Sequence, residues 1–216
     1  MNRYGLMALL LSASAAAQAT HHGYIWVEGP DEALAPNTTY TLEVWGGVES
    51  PLFVHGTSMM AGFGIDILNT GGGDSVASVS NVRIAEWARA FGTTGSIQGN
   101  DIIGVSGGQM PQDFPMDPPE LRNPIELFSF DLTTAGGPLG QISFAPANPH
   151  PFGGLSFYTH WWSGLMLIIP NQEGSELHFG GWTSTVPSPG SGLTLVLACI
   201  SFRRSRSPNF EQGVKA

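Results

Sequence analysis

Histidine is the side chain best equipped for chemistry in this chain, and it occurs at His21, His22, His55, His150, His160 and His178. Two of these adjoin near the amino terminus. A cut after Ala19 would start the mature protein at Thr20-His21-His22, with an imidazole at the third position beside a free amine and two amide nitrogens. Such a set wraps copper or nickel in a square plane once the amides lose their protons. Thr20, His21 and His22 are therefore the candidate metal ligands. The internal histidines follow no close zinc spacing. His160 precedes Trp161-Trp162 and His178 alternates with Leu177 and Phe179, so both read as structural or solvent-facing.

A cut after Thr20 instead would leave His21 at position one. That start resembles the copper brace of secreted polysaccharide monooxygenases, which begin with histidine and are built on a β-sandwich. The resemblance implies copper-dependent oxidation of a polysaccharide, with a second, internal histidine completing the site.

Other catalytic arrangements find less to stand on. No nucleophile elbow reads as following a strand, and Gly71-Gly72-Gly73 has neither the dinucleotide-binding spacing nor the Lys-Ser/Thr ending of a phosphate loop. Asp31 with Glu32, and Glu173 with Glu176, are acid pairs by sequence proximity only, which does not set the carboxylate separation a glycosidase needs. Asp113, Asp117 and Glu120 sit in a proline-rich stretch without the spacing of a helix-loop-helix calcium site. The sequence thus predicts no catalytic residue, no cofactor and no intrinsic enzyme activity.

Aromatic side chains point to recognition. Trp26, Trp45, Phe157, Tyr158, Trp161, Trp162 and Trp182 include core anchors, but Trp45 falls opposite Tyr40, Leu42 and Val44 in a two-residue alternation. Trp45, Trp161 and Trp162 are the candidate residues for stacking on a glycan.

The elements that must position these groups read as strands. Short apolar runs at 23–28, 39–45, 63–68, 125–132, 141–144, 155–159, 165–169 and 177–180 are separated by glycine, proline, asparagine and serine. Phe128, Phe130 and Leu132 alternate with Ser129 and Asp131 as on a strand with one face in a core. Between Asn81 and Gly92 the rhythm changes, and Ile84, Trp87, Ala88 and Phe91 predict two turns of amphipathic helix covering a sheet edge. From Gly104 to Pro124, glycine and proline predict a long surface loop. The fold class is all-β, a β-sandwich with one short covering helix.

Both ends carry addresses. Arg3, the run Leu6–Leu11 and the small-x-small Ala17-Gln18-Ala19 make residues 1–19 a cleavable signal peptide. Residues 20–185 form the ectodomain, 186–206 a sorting tail and 207–216 a disordered end. The ectodomain holds 16 acidic residues against only Arg83, Arg89 and Arg122, a balance that repels a phosphate backbone and excludes nucleic acid as a partner. The one cysteine, Cys199, lies in the tail, so an internal disulfide is impossible and an apolar core must hold the domain.

Val186-Pro187-Ser188-Pro189-Gly190, the apolar run Leu193–Phe202 and the cluster Arg203, Arg204 and Arg206 resemble the PEP-CTERM family of bacterial sorting signals, with Ser188 in place of the usual glutamate. The resemblance implies transient membrane insertion through the tail and an exosortase-like processing enzyme as partner. It carries over to Val186, Pro187 and Pro189 as the motif and to the three arginines as the cytoplasmic stop. The apolar run has 10 residues where about 20 span a bilayer, which implies variant processing. In the body, Ala61–Leu68, Leu127–Leu132 and Gln141–Phe144 resemble cohesin-like or immunoglobulin-like β-sandwiches. The expectation is an exported, surface-associated structural or adhesive protein whose partner is an extracellular polysaccharide or a surface protein. Its alternatives are a secreted carbohydrate-binding module and, further off, copper-dependent oxidation.

Overall fold

Strand β1 (His21–Glu28) is written by strict alternation: Gly23, Ile25 and Val27 are buried, while His22, Tyr24, Trp26 and Glu28 are not. A computed structural model describes residues 21–111, 119–137, 140–148, 153–162, 164–171 and 173–186. Residues 1–19, expected to be a signal peptide, Thr20, and the residues from Pro187 onward, with Pro189, Arg203, Arg204 and Arg206, lie outside the described residues.

After β1 come β2 (Thr39–Glu49), β3 (Met59–Gly71), β4 (Val76–Ile84), β5 (Ser96–Gln98) and β6 (Asp101–Gly108). The second half of the chain adds β7 (Ile125–Thr134), β8 (Gln141–Ala147), β9 (Gly154–Tyr158), β10 (Met166–Ile169), β11 (Ser175–Gly180) and β12 (Trp182–Thr185). They form two sheets. One has five strands in the order β11-β1-β2-β7-β4; in the seven-stranded sheet, the path β10-β9-β3-β6-β5 is joined by β8 on β3 and β12 on β8. The all-β sandwich expected from the sequence is the fold. Among the described residues, no helix is long and apolar enough to cross a membrane.

Alternating side chains from both sheets meet between them. Phe128 of β7 stacks on Phe63 of β3 at 5.8 Å, and Phe130 meets Phe144 of β8 edge-on at 5.6 Å. All but Phe63 are fully buried, and Phe63 is nearly so. The core also takes Ile25, Leu42 and Val44 from one sheet and Ile67, Ile102, Leu155 and Phe157 from the other.

Long β3 organises the seven-stranded sheet because one of its edges serves two partners. Met59–Gly64 pairs with β9 and Asp66–Gly71 with β8, while β6 runs along the other edge. Loops are pinned by side chains that imitate backbone. Asn123 accepts the Val48 N–H at 2.9 Å and donates to the Val48 carbonyl at 2.7 Å, as an adjoining strand would. Gln109 donates to the carbonyls of Met60 and Glu120 and accepts the Glu120 N–H, closing the base of the segment between them.

Two sequence expectations are corrected. The stretch from Glu86 to Phe91 is a short 3₁₀ segment, not two turns of α-helix, with the bonds Ala88 N–H to Ala85 O and Gly92 N–H to Arg89 O. At three residues per turn, positions 84, 87, 88 and 91 cannot share one stripe. Ile84 and Ala88 are buried and Trp87 anchors through its Nε1 donating to the Glu126 carbonyl at 2.7 Å, but Phe91 is 57% exposed. The predicted loop from Gly104 begins inside β6, which pairs with β3 through Gly108 opposite Gly62 and Gly107 opposite Phe63. Here glycine serves close approach of two strands rather than a turn: a Cβ on Gly62 would lie 2.6 Å from the Gly107 carbonyl oxygen.

Candidate functional site

The outer face of the five-stranded sheet gathers the side chains with the most chemistry. Register sets Tyr24 opposite Gly47, Trp26 opposite Trp45 and Glu28 opposite Glu43 across β1 and β2. On the other side of β1, parallel β11 brings Glu176 opposite His22 and His178 opposite Tyr24.

Each aromatic ring is moored by its polar end. Tyr24 Oη donates to Glu49 at 3.1 Å, Trp26 Nε1 to Glu28 at 2.7 Å and Trp45 Nε1 to Glu43 at 3.1 Å. The two indoles thus lie along their strands toward the same end of the sheet, and their rotamers are already chosen before any ligand arrives. Bare backbone beds Trp26, since a Cβ on Gly180 would meet its Cβ at 2.9 Å and one on Gly47 its Cζ3 at 3.7 Å.

Trp45 faces outward by the parity of β2, and an irregularity in β7 sets Glu126 beside it. Val44 faces Phe128, yet Trp45 faces Glu126, so Leu127 is the extra residue of a bulge. Leu127 turns inward and is fully buried against Gly46, where an added Cβ would lie 2.9 Å from its Cδ2. The bulge turns Glu126 to the outer face, where Trp45 already stands.

Acid collects beyond the indoles. Glu28 and Glu43 are cross-strand neighbours and Glu126 stands beside Trp45. Burial pushes the Glu126 carboxyl up, and the Glu43 carboxylate adds to that. Farther along, Asp131 accepts from Arg83 at 2.7 Å, Asn81 at 2.9 Å and Thr41 at 3.0 Å. The Arg83 hydrogen bond, helped by the other two, holds its carboxyl well below the usual carboxylate range. Because the folded chain releases this proton more readily than the unfolded one, the stabilisation is complete above the unfolded value of about 3.9 and is lost as the pH falls below it. Arg83 is partly solvated, so Asp131→Asn should lower stability by only about 1–2 kcal/mol at pH 7. The gap in thermal melting between wild type and variant should close as the pH is taken from 5 toward 2. A gap that persists unchanged in acid would refute this account.

At the opposite end of the same face lies a cluster of ligand-type atoms. His22 Nδ1 is 3.1 Å from His178 Nε2, and Glu176 Oε2 is 3.9 Å from the first and 3.7 Å from the second. Tyr24 stacks on the His178 ring at 5.1 Å and 21°. His22 was a candidate ligand from sequence, whereas Glu176 was weighed only as half of an acid pair and His178 was read as ordinary strand surface. The one signal for them was parity: Glu176 and His178 share a strand face, but only the pairing of β1 with β11 brings that face to His22.

The remaining candidates fall elsewhere. His21 points to the other side of β1, buried, with Nδ1 2.7 Å from Ser50 Oγ and its backbone N–H donating to the Gly174 carbonyl. His21 and His22 therefore do not converge in this structure, and a brace built on His21 would not meet His178. Trp161 and Trp162 adjoin at 5.2 Å but at 87° to each other, so they offer no coplanar platform. Val186 is buried and its N–H donates to the Gly140 carbonyl, so the first residue of the tail motif packs with the sandwich. Glu120 pairs with Arg122 at 2.8 Å; Asp113 and Asp117 lie outside the described residues. Gly104-Val105-Ser106-Gly107-Gly108 has the letters of a nucleophile elbow, but it lies within β6 rather than at a strand-to-helix turn. Outside the seven-stranded sheet, a furrow of about 300 Å³ runs over Gly62, Gly64 and Gly107 beside Phe91.

No protein-family model and no curated protein matches the chain. Among solved structures, the chain is similar to the cohesin module of a family 33 glycoside hydrolase from Clostridium perfringens, at 8% identity and a TM-score of 0.49 over 77% of this chain and 97% of that one. It is also similar to the seventh ScaB type I cohesin of Pseudobacteroides cellulosolvens, at 12% identity and a TM-score of 0.48 over 77% and 96%. A third likeness is to CaCohA2 of Clostridium acetobutylicum, at 9% identity and a TM-score of 0.45 over 78% and 92%.

Proposed function

We propose that this chain is an exported, surface-associated adhesive module without catalytic activity of its own, and that its contact surface is the outer face of the five-stranded sheet. The observation that carries the reading is the row Tyr24, Trp26 and Trp45, each ring moored to a carboxylate of the same sheet and half-exposed. Tryptophan and tyrosine are enriched among the few residues that dominate binding energy at recognition surfaces, and fixing them beforehand spares the cost of ordering. The apolar leader, the variant Val-Pro-Ser-Pro tail and the arginine cluster support export and surface processing by an exosortase-like enzyme. The acid around the row, Glu28, Glu43 and Glu126, favours a neutral or basic partner over an anionic one.

Retention of the purified chain on isolated extracellular matrix of the producing cells tests this. The double variant Trp26→Ala/Trp45→Ala should bind about 30-fold or more weakly, the loss expected of an aromatic hot spot, while its circular dichroism stays β-rich. Unchanged retention would refute the assignment of the face. The second reading, carbohydrate binding, is favoured by the two neighbouring indoles. It predicts that glycosidase treatment of the matrix abolishes retention and protease treatment does not.

A further inference from the structure

We propose that His22, Glu176 and His178 form a binding site for one divalent transition-metal ion of the zinc type, clipping edge strand β11 to β1. This goes beyond the adhesive reading and does not depend on what the aromatic row binds.

The geometry is that of a ligand set. Edges of 3.1, 3.7 and 3.9 Å place the point equidistant from the three atoms about 2.1 Å from each, within the usual range of zinc to imidazole nitrogen and carboxylate oxygen. A tetrahedral ion at that bond length spaces its ligands by about 3.3–3.4 Å, so small side-chain rotations suffice to lift the metal out of the ligand plane. Two imidazoles and one carboxylate suit zinc, cobalt, nickel or copper rather than calcium or magnesium, which take oxygen ligands.

Backbone pairing fixes the three groups. Glu176 and His178 are two apart on β11 and thus share a face, and the parallel register sets Glu176 directly across from His22. Tyr24, held by Glu49, lies flat on the His178 ring and limits its rotation. The side chains of Glu176 and His178 are 58% and 44% exposed, so the open coordination positions face solvent and take water or a donor from a partner.

This site differs from the amino-terminal arrangement, which shares His22 but uses backbone nitrogens and leaves out His178. Zinc discriminates between them, since the terminal set relies on deprotonated amides in a square plane. The full chain, freed of metal with chelator, is titrated with zinc chloride by isothermal titration calorimetry. One zinc should bind per chain. His178→Ala and His22→Ala should each weaken binding at least about tenfold, the lower limit for loss even of an outer-shell partner, with Glu176→Gln also weakened and His160→Ala unchanged. Circular dichroism of the metal-free variants checks that these solvent-facing substitutions leave the fold intact. Absence of zinc binding by the wild type would overturn the proposal. So would zinc binding lost in His22→Ala but retained in His178→Ala, which would show that His178 is not a ligand.

Discussion

Phe128→Ala is expected to lower unfolding stability by about 3–5 kcal/mol, the range for truncating a large buried aromatic. The ring is fully buried, lies on Phe63 of the opposite sheet at 5.8 Å and 17°, and faces Val44 across the β2–β7 ladder. Its removal leaves a hole between the sheets that neither can collapse to fill, because each is held by its own ladder. Domains are stable by about 5–15 kcal/mol in total, so the variant should be marginal. Urea denaturation would show a large fall in midpoint with an unchanged slope. Phe128→Leu should recover much of the loss. A deficit below about 1 kcal/mol for the alanine variant would mean that the stacked pair does not hold the sandwich together.

The second large effect is expected where nothing is removed. Gly62→Ala and Gly108→Ala should each cost about 2–3 kcal/mol, toward the upper end for overpacking. A Cβ on Gly62 would lie 2.6 Å from the Gly107 carbonyl oxygen, and one on Gly108 would lie 2.6 Å from that of Ala61. The obstruction in both cases is backbone of the β3–β6 pair, which cannot yield without lengthening ladder hydrogen bonds. Gly137→Ala is the matched control, with nothing within 4 Å of the added atom, and should be near neutral. Equal midpoints for Gly62→Ala and Gly137→Ala would exclude a close-packed seam.

That seam also explains what the sequence concealed. Runs such as Thr39–Trp45 and Glu126–Leu132 announced their strands because alternation and burial coincide there. β6 did not: in Asp101–Gly108 three glycines read as loop, although Gly108 lets the backbones of β3 and β6 touch and Gly107 makes room for Ala88 and the Phe63 ring. β4 was hidden because register shifts at Val76/Ser78 and Ser80/Arg83 disrupt its two-residue rhythm. β5 and β12 are too short to carry a pattern. At the candidate site, the outward aspect of Trp45 was legible from the parity of β2. The partners were not. Trp26 becomes half of a pair only through the β1–β2 register, and Glu176 and His178 reach His22 only through the parallel β1–β11 pairing.

This last pairing governs the order in which the molecule can be completed. His22 and His178 are separated by 156 residues, so the first strand to leave a ribosome or a translocation channel waits for nearly the last before its outer edge is satisfied. Contacts of such separation are entropically late and slow. A chain threaded outward from its amino terminus would therefore travel with β1 unpaired on that side, and the sheet would close only after Ser175–Gly180 had followed it through.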